Sequence, residues 1–396
     1  MEPVTHLLTG ACLSRTGLNR RAAYATLTMV VAAEFPDIDT LWSLRGPIEG
    51  FQHHRGITHT FLGLPFEAAL IVAGVYVWHR WRVRRAAAPV GSRTKPLTVA
   101  PVRWGVLYGL ALVALLSHLL LDYTNNYGLR PFFPFNDRWY AGSIVFIVDP
   151  LMLALLLGAL ILPWIFGLVG AEVGAKKQPF KGRGWAIAAL VGIVAWWGLR
   201  AVEHQRAVQM AMAQSMVAPT PESATDTTPP PDGSQSQDAT HAAAADSAYV
   251  PTFLPARAAL ASPDLLSPFR WSAVMDFGPV YRLAEIDTYG GTLTTGETTY
   301  PKPGRSAAVL AAQRNKLGRV YMDWSPMPFV EVTKADSELA AGGEEPSTAA
   351  TVVTFRDPRF LGGRLRETGR QPLTGTVELD AADHVVLQTM DGHVEP

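Results

Sequence analysis

Apolar positions are distributed unevenly along the chain. The first 200 residues carry long apolar runs, whereas the remainder is rich in Pro, Thr, Ser, Asp and Gly. A predominantly apolar stretch of about 18–25 residues can cross a bilayer as a helix. On that criterion spans are predicted near 22–35, 60–79, 104–121, 150–169 and 185–200, the first and last being short. Residues 3–14 add an apolar stretch too short to cross unaided, which reads as a half-helix dipping into the bilayer. After the last span, 204–249 reads as a disordered linker. Its segment 218–248 is nearly free of large apolar side chains and cannot bury a core. From 250 to 396, short runs such as VYRLAEIDTY, ATVVTFRD and TGTVELD alternate apolar and polar residues between Gly and Pro breakers, which predicts a small β-rich soluble domain. The expected fold class is an α-helical polytopic membrane domain, 1–203, of about five spans plus the N-terminal half-helix, followed by that domain.

Charge orients these elements. Arg80, Arg82, Arg84, Arg85, Arg93, Lys95 and Arg103 follow the second span with no acid among them. Lys176, Lys177, Lys181 and Arg183 precede the fifth, and Arg15, Arg20 and Arg21 precede the first. With alternating spans, all three basic segments fall on one side, which the positive-inside rule makes cytoplasmic. Residues 36–58, 123–149 and everything beyond about 201 then lie outside. The expected location is a bacterial inner membrane crossed several times, with a periplasmic or extracellular C-terminal domain. Trp139 and Tyr140 sit where an interfacial aromatic belt is expected. Net charge is zero, so no nucleic-acid partner is expected. The single cysteine, Cys12, excludes an intrachain disulfide and a Cys-based zinc site. Nothing in the chain fixes an oligomeric state.

Ionisable residues in or beside membrane spans are costly, and here they form a set. His6 lies in the first apolar stretch. Asp37 and Asp39 (FPDID) close the first full span, His53, His54 and His59 (HHRGITHT) open the second, and His118 and Asp122 (SHLLLD) close the third. His118 and Asp122 are four apart and share a helix face. Pro36 ends the preceding helix and places both aspartates on an irregular segment. Gly56 permits a tight turn, and Thr58 is positioned to cap the next helix, with His59 in its first turn. Under the alternating topology all three clusters reach the same outer face. Imidazole and carboxylate without thiolate suit zinc first, with manganese or iron as alternatives, and the number of donors allows one or two divalent ions. Arg55 could steady an anionic group such as phosphate.

Each element also has a structural explanation. His118 and Asp122 could simply hydrogen-bond between helices. Asp37 and Asp39 could mark a helix end meeting water, and His53 reads as a loop neighbour. Asp149 before Pro150 reads as a helix N-cap. Asn125 and Asn126 fit a turn as well as a substrate contact. His204, His241, His384 and His393 read as unrelated to the set.

Taken together, His6 in THLLTG, then PDID, HRGITHT, HLLLD and NNYGLRPFFPF resemble the YdjM/YbcI-like family of inner-membrane metal-dependent hydrolases over roughly residues 1–170. Thr60 stands where that family commonly has Ser, which keeps the hydroxyl. The resemblance implies a membrane-embedded hydrolase whose metal set is His6, Asp37, Asp39, His54, His59, His118 and Asp122. Asp39 and Arg55 are the expected catalytic residues. A site at the mouths of membrane helices points to an ester or phosphoester in a lipid or lipid-linked substrate. The alternatives are a metal-binding or transport membrane protein, and a non-enzymatic membrane scaffold.

Overall fold

A computed structural model describes residues 1–86, 101–172, 182–217, 253–335, 349–361 and 372–395. The expected linker segment 218–248 lies outside them. Among the described residues, seven α-helices make the N-terminal half: α1 (Pro3–Arg15), α2 (Ala25–Glu34), α3 (Pro47–His53), α4 (Leu64–Ala86), α5 (Trp104–Thr124), α6 (Pro150–Glu172) and α7 (Arg183–Met212). Pro3 opens α1 and the Glu2 carboxylate accepts from the Thr5 amide at 2.8 Å, which satisfies a free N–H of the first turn. Small residues let α1, α2 and α5 approach closely. A Cβ on Gly10 would lie 2.6 Å from the Met29 carbonyl oxygen, and Ala25, Ala32 and Ala33 meet Ala111 and Ala114 in one buried cluster.

Among the described residues, α5 and α7 are each long and apolar enough to cross a bilayer. The segments Pro47–His59 and Leu64–Arg85 meet at 86° and form a third candidate when taken as one broken span. The span expected at 22–35 becomes a helix of only 10 residues, about 15 Å at the α-helical rise, half the hydrocarbon thickness. It starts after Tyr24, which is held in a left-handed conformation, and gives way to a 3-10 segment, Phe35–Arg45, that contains Pro36. At the other end, α7 continues to Met212 and is followed by β1 (Ser215–Val217), so residues 204–217, expected in the linker, are helix and strand.

The C-terminal region is rich in β-sheet. β1 pairs with β2 (Phe253–Pro255). β3 (Ala258–Pro263), β4 (Arg270–Asp276), β5 (Val280–Asp287) and β6 (Thr292–Pro301) form an antiparallel meander. Two short helices, α8 (Ala307–Arg314) and α9 (Lys316–Trp324), lead into a second sheet. It runs in the order β11-β10-β9-β8-β7, from β7 (Phe329–Lys334), β8 (Thr351–Arg356), β9 (Gly375–Leu379), β10 (Val385–Met390) and β11 (His393–Val394). The three runs with strand alternation became β5, β8 and β9.

Among the described residues, this domain shares two hydrophobic cores with the helical half. Ala207 and Ala211 of α7 share a core with Trp271, Met275 and Phe277. Ile48, Phe51 and Tyr127 share a second core with Tyr321, Trp324, Phe355 and Phe360. Trp139, expected in an interfacial belt, packs against this second core and donates its indole N–H to Asp323 at 3.2 Å.

Candidate metal centre

The three polar clusters meet. Two carboxylates and two imidazoles, from Asp37, His59, His118 and Asp122, each offer a ligand atom within 4.8 Å of all the others. His118 and Asp122 project from the end of α5, one turn apart. Asp37 comes from the 3-10 segment after α2, and His59 from the short 3-10 turn Ile57–His59 before α4.

The separations carry chemical information. His59 Nε2 lies 3.3 Å from Asp37 Oδ1 and 3.3 Å from Asp122 Oδ2. His118 Nε2 lies 3.4 Å from Asp122 Oδ2 and 3.6 Å from Asp37 Oδ1. The two Nε2 atoms are 3.0 Å apart. Bonds of about 2.0–2.1 Å to a tetrahedral ion put its ligands about 3.3–3.4 Å from one another, so these five separations lie close to the edges of a tetrahedron around one cation.

Proton positions point the same way. His118 Nδ1 lies 2.7 Å from the Ala33 carbonyl oxygen, which can only accept, so Nδ1 carries a proton. His59 Nδ1 lies 3.1 Å from Asp39 Oδ2, a carboxylate oxygen already accepting from the Arg55 amide at 2.7 Å. With the other nitrogen of each ring so committed, the two Nε2 atoms face each other across 3.0 Å, an arrangement that requires a proton or a metal ion between them. Asp122 Oδ2 faces the same point, buried and without a hydrogen-bond partner among the described residues. The donor set thus fits a divalent cation.

Around this centre the other expected residues take distinct places. Asp39 stands behind the centre: its two oxygens contact His54, His59, the Arg55 amide and the Thr58 hydroxyl. It forms the carboxylate–histidine arrangement that fixes a ligand imidazole. Asp37, Asp39 and His54 form a second, more open donor group that shares Asp37 with the first. His6 reaches the far side of Asp122, 3.4 Å from Oδ1, stacked on His118 at 3.8 Å and 3.0 Å from the Met1 α-amino group, which also donates to Asp122 Oδ1. His53 stands apart, stacked on Trp42 and 3.2 Å from Glu49.

Arg55, expected to face an anionic substrate group, turns inward. It is 4% exposed. One terminal nitrogen bonds Asp122 Oδ1 at 2.9 Å, and the other bonds the Gly128 carbonyl at 2.8 Å and Asn125 Oδ1 at 3.2 Å. Its guanidinium also lies over the Tyr127 ring. The side chain therefore neutralises Asp122 and anchors the loop after α5. Its backbone has a φ of 56°, a left-handed conformation rare for a branched-free but bulky residue and typical of positions over-determined by their surroundings. The tight turn thus falls at Arg55. Gly56 is needed for space, since a Cβ there would lie 2.8 Å from the His53 carbonyl oxygen. The cap of α4 likewise falls to Thr60, whose hydroxyl accepts from the Gly63 amide at 2.9 Å, while Thr58 serves Asp39. His59 accordingly precedes α4 instead of sitting in its first turn.

Burial alone would raise the Asp37 carboxyl, but the His59 hydrogen bond and the neighbouring His118 imidazole outweigh it and hold the group down, at about 2. Asp39 is likewise lowered by His54 and His59 against the effect of burial. Both are carboxylates at neutral pH, as ligation and orientation of a ligand require.

Some of the surroundings gave no sequence signal. Asn125 Oδ1 accepts from the Tyr127 amide at 2.9 Å, the turn expected there. The Asn126 carbonyl, however, is held by Arg359 at 2.7 Å and the Tyr127 carbonyl by Trp324 at 3.2 Å, both from the C-terminal domain. His393, read from sequence as unrelated, lines a cavity that His54 and Arg55 also line. Asp149 is the N-cap expected of it, accepting from the Met152 amide at 3.0 Å.

Fold and site define a helical membrane protein with a buried His and Asp cluster that could hold a metal ion. The chain belongs to the YdjM inner membrane protein family, whose profile matches residues 1–207. A protein of Bacillus subtilis (strain 168) described as uncharacterized protein YfhP is 25% identical over 158 residues, 38% of this chain and 42% of that relative. The match thus spans less than half the relative's length. No solved structure matches the chain.

Proposed function

We propose that the protein is a membrane-embedded, metal-dependent hydrolase that cleaves an ester or phosphoester in a lipid or lipid-linked substrate. The observation that carries this reading is the pair of imidazole Nε2 atoms facing each other at 3.0 Å between two carboxylates, each ring with its other nitrogen committed elsewhere. Asp37, His59, His118 and Asp122 would hold one ion, zinc in the first instance and manganese or iron otherwise. Such an ion supplies Lewis acidity to the bond under attack and makes water acidic near neutral pH. The guanidinium at Asp122 Oδ1 disfavours a second cation on that oxygen, so a second ion would belong to Asp37, Asp39 and His54.

The protein's own groups divide the remaining work. Asp39 orients His59 and, 3.3 Å from His54 Nδ1, orients His54 as well. His54 is half-buried and lines the cavity, where it can accept a proton from water and return it to the leaving group. Arg55 pairs with the buried Asp122 carboxylate at 2.9 Å.

In the membrane, α4 to α7 would cross fully, with α1 and α2 as a shorter hairpin among them. The basic segments then lie in the cytoplasm, and the metal centre and the C-terminal domain lie outside.

Metal analysis of detergent-purified protein tests the reading. Wild type is expected to hold about one tightly bound ion, and His59→Ala and His118→Ala to retain less than about a tenth of it. Asp39→Asn, which removes only the orienting carboxylate, is expected to weaken metal affinity about 10- to 100-fold. Metal content equal to wild type in all three variants would dismiss the centre. Metal retained with no hydrolysis of phosphodiester or lipid ester substrates would dismiss the enzyme.

A further inference from the structure

We infer that the C-terminal domain is the roof of the substrate site, and that the cavity beneath it receives the hydrocarbon chain of an amphiphile whose scissile group lies at the metal centre; this rests on the hydrolase reading above. The cavity lies between the two halves and measures about 770 Å³, within the range of built ligand sites. Its floor includes Phe51, Tyr127 and Ile147 of the helical half, and its roof includes Phe360, Leu373 and Met390 of the C-terminal domain. The polar groups His54 and Arg55 belong to the metal-centre loop. An anionic or ester head at that loop and an apolar chain along Tyr127 and Met390 match this division.

The wall facing outward identifies the source of the occupant. Thr40 and Ser43 of the 3-10 segment line the cavity, while Leu41 and Leu44 of the same segment are 58% and 85% exposed. One turn of backbone therefore separates the cavity from an apolar outer surface, and the same segment carries Asp37 and Asp39. A water-soluble substrate needs no leucine-lined lip. A chain leaving the bilayer would keep apolar contact on both sides of it.

The roof is fixed to the site. Arg359 donates to the Asn126 carbonyl and Trp324 to the Tyr127 carbonyl, in the loop whose Asn125 and Gly128 hold Arg55. The roof thus sets the height of the cavity above the loop that follows the ligand Asp122.

Photolabelling tests this. The full-length protein in lipid nanodiscs is irradiated with hexadecyl phosphate bearing a mid-chain diazirine, and labelled peptides are mapped by mass spectrometry. Label is expected on peptides containing Phe360 and 372–395. Unlabelled hexadecyl phosphate should compete it away, and phenyl phosphate should not. Met390→Trp and His393→Trp, which fill the cavity from the roof, are expected to cut that labelling about tenfold at unchanged metal content. Label confined to the membrane helices, or wild-type labelling in both variants, would overturn the inference. Because labelling requires no turnover, roof labelling in a protein that holds no metal would remove the hydrolase reading while keeping the cavity as a lipid site.

Discussion

The C-terminal domain joins the helical half twice, and the two junctions differ. At the first, the C-terminal end of α7 presents Ala207 and Ala211 to Trp271 and Met275, and Arg200, fully buried, donates to the Ser267 and Asp264 carbonyls at 2.7 and 2.8 Å. At the second, Arg359 and Trp324 grip backbone carbonyls of the loop after α5, and the cavity beside them remains open. Small side chains against aromatics fill space, which suits a fixed joint. Rigid polar clamps around a void suit a binding site, because the void receives a ligand while the clamps hold its rim. The difference separates a junction that fills space from one that leaves a cavity beside His54 and Arg55.

Arg200→Met should test that separation with the largest effect. It leaves two part-buried carbonyls without their donor and removes the positive charge 3.7 Å from the buried Asp149 carboxylate. Stability should fall by about 3 kcal/mol, since removing one member of a buried polar group strands the others. The midpoint of denaturant unfolding in detergent measures it. Metal content of the folded protein should not change. A parallel loss of metal would mean that the first junction also governs the site.

Arg359→Lys should do the reverse on a smaller scale. A lysine keeps a positive charge beside Asp357 but loses the fork that also reaches Asn126. The stability cost should be about 1 kcal/mol, while binding of an alkyl phosphate should weaken several-fold at constant metal content. Titration of the labelled lipid into both proteins gives the ratio. Equal binding would show that the second junction, like the first, only maintains the fold.

The contrast also explains what could be read from the sequence. The cluster of Asp37, His59, His118 and Asp122 that could hold a metal was legible because its signals are local. His118 and Asp122 share a helix face by spacing alone, and the other donors flank breaks in apolar runs. The inward turn of Arg55 was not legible, because it depends on a left-handed backbone at that residue and on acceptors up to 73 residues away. Hydropathy located apolar stretches but not helix ends, so 22–35 read as a span although Tyr24 and Pro36 confine the helix to Ala25–Glu34. The share of the C-terminal domain in the cavity lining was invisible for another reason. β-alternation tells which residues share a face, not what that face will cover, and nothing near His393 or Met390 in the chain refers to residues more than 300 positions earlier.

A weaker contact at the edge of the second junction sharpens the comparison by its pH dependence. Lys316 Nζ lies 2.7 Å from both Glu49 Oε1 and Glu395 Oε1, linking α9 to α3. Burial would lower the lysine, but the two carboxylates outweigh it and raise it above 10.5. The Lys316 hydrogen bond in turn lowers Glu49 below 4.5. A raised lysine contributes stability fully below its unfolded value, lost as pH rises through the folded value. A lowered glutamate contributes above its unfolded value, lost as pH falls through the folded one. The link is therefore complete between about pH 5 and 10. Lys316→Met should cost about 0.5 kcal/mol in that window, as expected for a partly exposed pair. The difference from wild type should shrink outside the window and in high salt. Unfolding midpoints of both proteins across pH measure it. A difference that stayed constant with pH and salt would assign the contact to packing of the lysine stem instead of its charge. The second junction would then rest on shape and on its remaining hydrogen bonds, those of Arg359, Trp324 and Trp139 among them.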